Sequence, residues 1–316
     1  MAAGVVTVFG GSGFIGRYVV RRLAQQGWTV RVAVRRPDRA LFLKTMGAVG
    51  QVTPVAADVR SERSVAAAVA GADAVINLVG ILYEKGGRNF QSIHVEGAER
   101  VARLAKAVGV KTFVQMSSLG AAQNAEAAYA RTKAAGEAAV RGHFPDARII
   151  RPSIVFGPED GFFNKFAAMA RFAPALPLIG GGGMKFQPVY VDDVAEAILR
   201  CVENNNTAGK TYELGGPGIF SFAELMRRLL REIGRRRLLL PLPFGIARIQ
   251  AAFMEWLPVP PLTRDQIKLL QQDNVVSPGA LTLADLGIQP QGLDAILPTY
   301  LARYRPGGRF GRRARA

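Results

Sequence analysis

Eight residues near the start of the chain, Phe9-Gly10-Gly11-Ser12-Gly13-Phe14-Ile15-Gly16, narrow its possible folds more than any other feature. They follow a short β-branched run, Val5 to Phe9, and open an amphipathic segment, Phe14 to Gln25. A second strand pattern runs from Thr29 to Val34. Strand, glycine turn, helix and strand in that order form a βαβ unit with parallel strands. Gly10 suits the tight turn, Gly13 lets the backbone approach a ligand, and Gly16 permits close helix packing. The helix N-terminus adds free N–H groups and a positive dipole end, so the turn is suited to a pyrophosphate. Ser12, Phe14 and Ile15 lie within it and join the three glycines as candidate contacts.

The alternation continues. Strand patterns at Gln51 to Ala56, Ala74 to Val79, Thr112 to Met116 and Ala147 to Ile150 are separated by helical stretches such as Val65 to Val69 and Val95 to Val108. The fold class is therefore α/β, a Rossmann-type doubly wound parallel sheet with ligand at the carboxyl ends of its strands. Past Arg151 the regularity breaks at Pro158, Pro174, Pro177 and Gly180 to Gly183. The expected organisation is a nucleotide-binding core over 1–150, a smaller mixed lobe over 151–302 with elements returning to the core, and a basic tail over 303–316. Within the lobe, Leu238 to Pro261 is apolar but too often interrupted by proline to span a bilayer as a simple helix. A membrane surface, a partner face and an ordinary lobe core all fit it.

Of the 316 residues, 49% are apolar, which suffices for a sizeable core and excludes a disordered chain. No charged region precedes the strand at Val5, so the reading is of a cytoplasmic start without a signal or transit peptide. The one cysteine, Cys201, falls in an apolar-periodic helix and reads as a buried structural thiol. His94 and His143 lack neighbouring ligands at metal spacing, so no metal site is expected. The net charge of +17 is concentrated in two groups. Arg227, Arg228, Arg231, Arg235, Arg236 and Arg237 form one, and Arg303, Arg305, Arg309, Arg312, Arg313 and Arg315 the other. Such clusters favour anionic partners, with a solvated basic surface as the alternative.

Arg35 and Arg36 end the second strand, where an acid would meet a ribose lacking a 2′-phosphate. A guanidinium there suits a phosphate, so the site reads as preferring NADP(H), with one of the two arginines touching ligand. Asp58 and Val59 close the third strand, and Leu78, Val79 and Gly80 follow Asn77 at the end of the fourth. Tyr129 and Lys133, spaced i, i+4, share one helix face. A lysine so placed can hydrogen-bond a ribose and lower the tyrosine pKa, making the phenol a proton donor or acceptor. Ser117 and Ser118 end the fifth strand and are suited to orienting an oxygen.

Gly10-x-x-Gly13-x-x-Gly16, Asp58, Asn77 to Gly80, Tyr129-x-x-x-Lys133 and Arg151-Pro152 together resemble the extended and atypical short-chain dehydrogenase/reductase pattern. Finer segments resemble the family of NADPH-binding accessory subunits of respiratory complex I and their bacterial relatives. These are Val8 to Val20, Val75 to Gly80, Phe156 to Asp160, Gln187 to Val191 and Thr263 to Asp265. The resemblance covers about Val5 to Tyr304. It implies a structurally held NADPH, with Ser117, Tyr129, Lys133 and Pro152 among its contacts. It further implies docking on the peripheral arm near the quinone site, on the inner face of the cell membrane, with the arginine clusters against anionic lipid. The alternative is a free NADP-dependent reductase or epimerase with Ser118, Tyr129 and Lys133 as catalytic residues. Nucleic-acid binding ranks last, because the arginines lack interleaved aromatics on a recognisable module.

Overall fold

The computed structural model describes residues 4–308, so Arg309, Arg312, Arg313 and Arg315 of the basic tail lie outside the described residues. Two compact units result. The first takes the chain up to Pro152 and recovers Val191–Leu214 and Gly279–Ile288; the second comprises Ser153–Tyr190, Gly215–Pro278 and the chain from Gln289 onward.

In the first unit the strands are β1 (Val5–Phe9), β2 (Thr29–Val34), β3 (Val52–Ala56), β4 (Ala74–Asn77), β5 (Thr112–Met116), β6 (Arg148–Pro152) and β7 (Thr211–Leu214). All pairings are parallel, in the order β7-β6-β5-β4-β1-β2-β3. The order reverses between β1 and β4, which opens a crevice at their carboxyl ends. Helices α1 (Phe14–Gln25), α2 (Glu62–Val69), α3 (Glu96–Ala107), α4 (Ala128–His143) and α5 (Val191–Glu203) cover the sheet. Fully buried Val6, Val8, Ile76, Val114 and Ile149 give the strands the near-continuous apolar character that a sheet covered on both faces requires.

β1, α1, β2 and β5 have the bounds read from the sequence, whereas β4 stops at Asn77, two residues early. There Asn77 turns inward, donating from Nδ2 to Gln115 Oε1 at 2.9 Å and accepting from the Val79 N–H at 3.2 Å. α3 begins at Glu96 because a π-helical turn, Gln91–Val95, precedes it. β7 and α5 come from beyond residue 190. α5 is fastened to α1 by Arg22, whose guanidinium meets Asp192 at 2.8 Å and Glu196 at 2.5 Å. Arg151 lies between Glu137 (2.6 Å) and Glu213 of β7 (3.5 Å), tying the edge strand to α4.

The second unit is built on a phenylalanine-rich core that includes Phe156, Phe163, Phe186 and Phe222. Its helix Phe222–Glu232 begins in a capping box of Ser221 and Glu224. Several arginines of the two basic clusters have partners within this unit. Arg228 pairs with Asp294, Arg235 donates to the Tyr304 carbonyl, and Arg237 donates to the Ala170 carbonyl. Arg305 pairs with Glu232. These guanidiniums fasten the unit together, which leaves Arg227, Arg231 and Arg236 exposed from the first group. Among the described residues, no helix is long and apolar enough to cross a membrane.

Candidate nucleotide site

Gly10 leaves β1 at φ +77°, in the left-handed region that favours glycine, and its carbonyl accepts the Gly13 N–H at 3.0 Å. Gly13 is the N-cap of α1, and no side chain caps the helix. The first-turn N–H groups therefore face outward without a competing acceptor or acid, an anion site made by backbone alone. Gly16 lies beneath the turn. A Cβ there would sit 2.5 Å from the Gly10 oxygen, too close for any larger residue.

The turn opens into a cleft of about 660 Å³. Gly10, Ser12, Gly13, Arg35, Arg36, Asp58, Val59, Leu78, Val79 and Gly80, all sequence candidates, line it. Phe14, Ile15 and Gly16 form the first turn of α1 next to this lining, and their backbone N–H groups belong to the anion site. Phe9, Ala33, Val34, Ala57, Ile81 and Ile93 complete an apolar lining, and Arg39 and Arg88 add two further cations. Those two arginines come from a 3-10 segment and a loop, where strand and helix periodicity gives no signal.

The charges around the cleft are unequally committed. Arg36 is exposed and paired with Asp38 at 2.9 Å, an ion pair that holds the carboxyl below its ordinary range. Arg35, Arg39 and Arg88 have no ion pair among the described residues, so they remain available to an anionic ligand. Arg17 stacks on Phe42, with its guanidinium carbon 5.2 Å from the ring centroid. Asp58 is held by Arg60 (2.7 Å), which lowers its pKa; Arg60 also donates to the Gly87 carbonyl at 3.1 Å.

Beyond Gly80 lies a second group of candidates. The Lys133 ammonium is 3.1 Å from where a Gly80 Cβ would be, donates to the Met116 carbonyl at 3.4 Å, and sits 5.8 Å from the Tyr129 ring centroid. Burial pushes Lys133 down to about 8. The expectation that Tyr129 would be acidified is corrected: burial raises its pKa. The buried hydroxyl oxygens of Ser117 and Ser118 have no hydrogen-bond partner among the described residues. Two unsatisfied hydroxyls beside a buried lysine and tyrosine are a cost that a bound polar ligand would remove. Pro152 ends β6, and its carbonyl accepts the Leu119 N–H at 3.0 Å, holding the serine loop.

His94 is the residue that sequence reasoning considered only as a metal ligand. It is buried, and among the described residues there is no cluster able to hold a metal. Its Nε2 accepts the Ile81 N–H at 3.1 Å, so Nδ1 carries the hydrogen and donates to Thr132 Oγ1 at 3.1 Å. The ring stacks on Phe90 and meets Tyr129 edge-on, both at 5.3 Å between centroids. Burial and the Lys133 charge push its pKa down to about 3, so the imidazole is neutral. α4 approaches this turn closely at Gly136, where a Cβ would fall 2.0 Å from the His94 carbonyl.

This arrangement fits a dinucleotide. The capless α1 terminus and Gly13 would hold its pyrophosphate, Arg35 its adenosine end, and Lys133 with the two serines its far end. When bound, such a group supplies hydride chemistry. The protein's own residues would orient it, exclude water through the apolar lining, and hold a proton on the Tyr129 phenol.

Comparison with known proteins agrees with the geometry. Residues 6–215 match the family model described as NAD dependent epimerase/dehydratase family. A relative in Arabidopsis thaliana, the mitochondrial NADH dehydrogenase [ubiquinone] 1 alpha subcomplex subunit 9, is 41% identical over 319 residues, spanning 96% of this chain and 79% of its own. Ceramide reductase of Caulobacter vibrioides is 31% identical over 250 residues, 77% of this chain and 74% of its own. The dTDP-glucose 4,6-dehydratase of Streptomyces venezuelae, solved with NAD, superposes with a TM-score of 0.74 over 95% of this chain and 96% of its own at 20% identity, a likeness of fold. The chain thus belongs to the NAD dependent epimerase/dehydratase family, among relatives of the alpha subcomplex subunit 9 of respiratory NADH dehydrogenase.

Proposed function

We propose that the protein is an accessory or assembly subunit of a respiratory NADH:quinone oxidoreductase, holding NADPH as a structural ligand. The observation that carries this reading is the likeness to a complex I subunit along 96% of the chain, through both compact units. Arg35 at the end of β2, without an ion pair among the described residues, supports the choice of NADPH over NADH. A ligand present at a hundredfold its Kd adds about 2.7 kcal/mol to the folded state, so a stabilising role is physically sufficient. The subunit docks on the peripheral arm near the quinone site, at the cytoplasmic face of the inner membrane. Arg227, Arg231 and Arg236 face anionic lipid there, each contributing about 1 kcal/mol. Affinity purification from mildly solubilised membranes tests this. Oxidoreductase subunits should co-purify; a solitary soluble protein would overturn the assignment.

One observation favours a second reading. Tyr129, Lys133 and the unsatisfied Ser117 and Ser118 hydroxyls form a site that a passive subunit does not need. Under this reading the chain is an NADP-dependent reductase or epimerase. Steady NADPH oxidation with a carbonyl substrate, lost on Tyr129→Phe, would establish the reductase; an epimerase would instead interconvert a substrate's stereoisomers with no net change in the nucleotide.

A further inference from the structure

Helix Phe244–Met254 in the second unit reverses the usual arrangement of a surface helix. Its buried contacts are made by Ala247 and Ala251, one turn apart, which pack with Ile179 and Ile267. Phe244 packs against the same cluster, but Ile246, Ile249 and Phe253 point the other way. Ile246 is 50% exposed, Ile249 62%, Phe253 76% and, just past the helix end, Trp256 92%. Their spacing of three, four and three residues places all four on one face. The preceding strand, Leu238–Leu242, likewise exposes Leu238 and Leu240. Soluble proteins rarely leave so many large apolar side chains together in water.

The charge pattern selects the occupant. Between Leu238 and Leu262 only Arg248 and Glu255 are charged. Glu255 is neutralised by Arg264, with 2.9 Å between Nη2 and Oε2. Arg248 is exposed on the helix flank, and Arg236 is exposed just before the strand. A tryptophan at the end of an exposed apolar face, with arginines on its border and no free acid, suits the boundary between headgroups and acyl chains. Pro241 in the exposed strand lacks an N–H and argues against an added β-strand as the occupant.

We propose that this face, formed by Ile246, Ile249, Phe253 and Trp256, inserts into the interfacial layer of an anionic bilayer. The sequence leaves the apolar segment Leu238 to Pro261 open between a membrane surface, a partner face and lobe core, and the outward face of this helix selects the first. The inference is compatible with the accessory-subunit reading but does not depend on it, because it is tested without any oxidoreductase present.

The chain has two tryptophans, and Trp28 is buried, so Trp28→Phe leaves Trp256 as a single reporter. The full chain is mixed with vesicles of phosphatidylcholine and phosphatidylglycerol carrying bromine on their acyl chains. Trp256 emission should shift to the blue and be quenched, and the protein should float with the vesicles. Ile249→Ser and Phe253→Ser should each lower partitioning by about tenfold or more, with an unchanged circular dichroism spectrum and unfolding temperature as evidence of folding. Arg236→Gln and Arg248→Gln should each weaken binding about fivefold on anionic vesicles and little on phosphatidylcholine alone. Unshifted, unquenched Trp256 with the protein left in solution would overturn the proposal and assign the face to a protein partner. Flotation that survives both serine substitutions would overturn it too.

Discussion

Arg60 chelates the Asp58 carboxylate, with 2.7 Å between Nη2 and Oδ2, and the same guanidinium donates to the Gly87 carbonyl at 3.1 Å. One side chain thereby joins the end of β3 to the loop that carries Arg88 into the cleft. Arg60→Ala should release that loop, seen as faster amide exchange at Gly86, Gly87 and Arg88. Unchanged exchange there would mean that the loop is held by other contacts.

Among the described residues Arg35 has no ion pair, while its neighbour Arg36 is committed to Asp38. Arg35→Ala should weaken NADPH by roughly 10- to 100-fold, the equivalent of about 1.5–3 kcal/mol for a charge-assisted contact, and leave NADH nearly unaffected. Titration calorimetry with both nucleotides measures the difference. Equal losses would place Arg35 away from the 2′-phosphate.

The glycines should separate by role. Gly16→Ala brings a Cβ to 2.5 Å from the Gly10 oxygen and 2.6 Å from the Gly11 Cα, so the ligand-free protein should lose about 1–3 kcal/mol of stability. Gly13→Ala meets only the Gly10 oxygen, at 3.2 Å. Its unfolding temperature without nucleotide should change little while nucleotide affinity falls. Identical thermal shifts in the two variants would contradict this division.

His94 makes stability depend on acid. Burial holds its folded pKa down at about 3, below the ordinary histidine value of 6.5, so the unfolded chain binds the extra proton between those limits. Stability from this group is complete above pH 6.5 and is lost as pH falls toward 3, by on the order of 3–5 kcal/mol. Lys133, depressed from 10.5 to about 8, acts in the same direction at higher pH, and its contribution rises between those values. His94→Asn should flatten the acid side of a plot of unfolding temperature against pH. An unchanged acid limb would show that His94 is not the group responsible.

The sequence discloses the parts of the site that follow from periodicity. β1, the glycine turn, α1 and β2 form from neighbouring residues, so Val5 to Val34 is readable without tertiary information. Arg39 and Arg88 reach the cleft from irregular segments and are invisible to such a reading. Ion pairs two residues apart, Asp58 with Arg60 and Arg36 with Asp38, depend on local turns that composition does not encode. The direction of the Tyr129 shift was missed because the i, i+4 spacing reports a shared helix face and says nothing of desolvation. Which arginines of the cluster stay free was unreadable for a similar reason: Arg228, Arg235 and Arg237 find partners 66 to 69 residues away.

The most direct test of the central claim is the nucleotide content of the chain purified within the respiratory complex, measured before and after sustained turnover with NADH and quinone. The account predicts stoichiometric NADPH, released only on denaturation and unchanged in amount and redox state by turnover. A chain without nucleotide, or one whose NADPH is oxidised as the complex works, would contradict it.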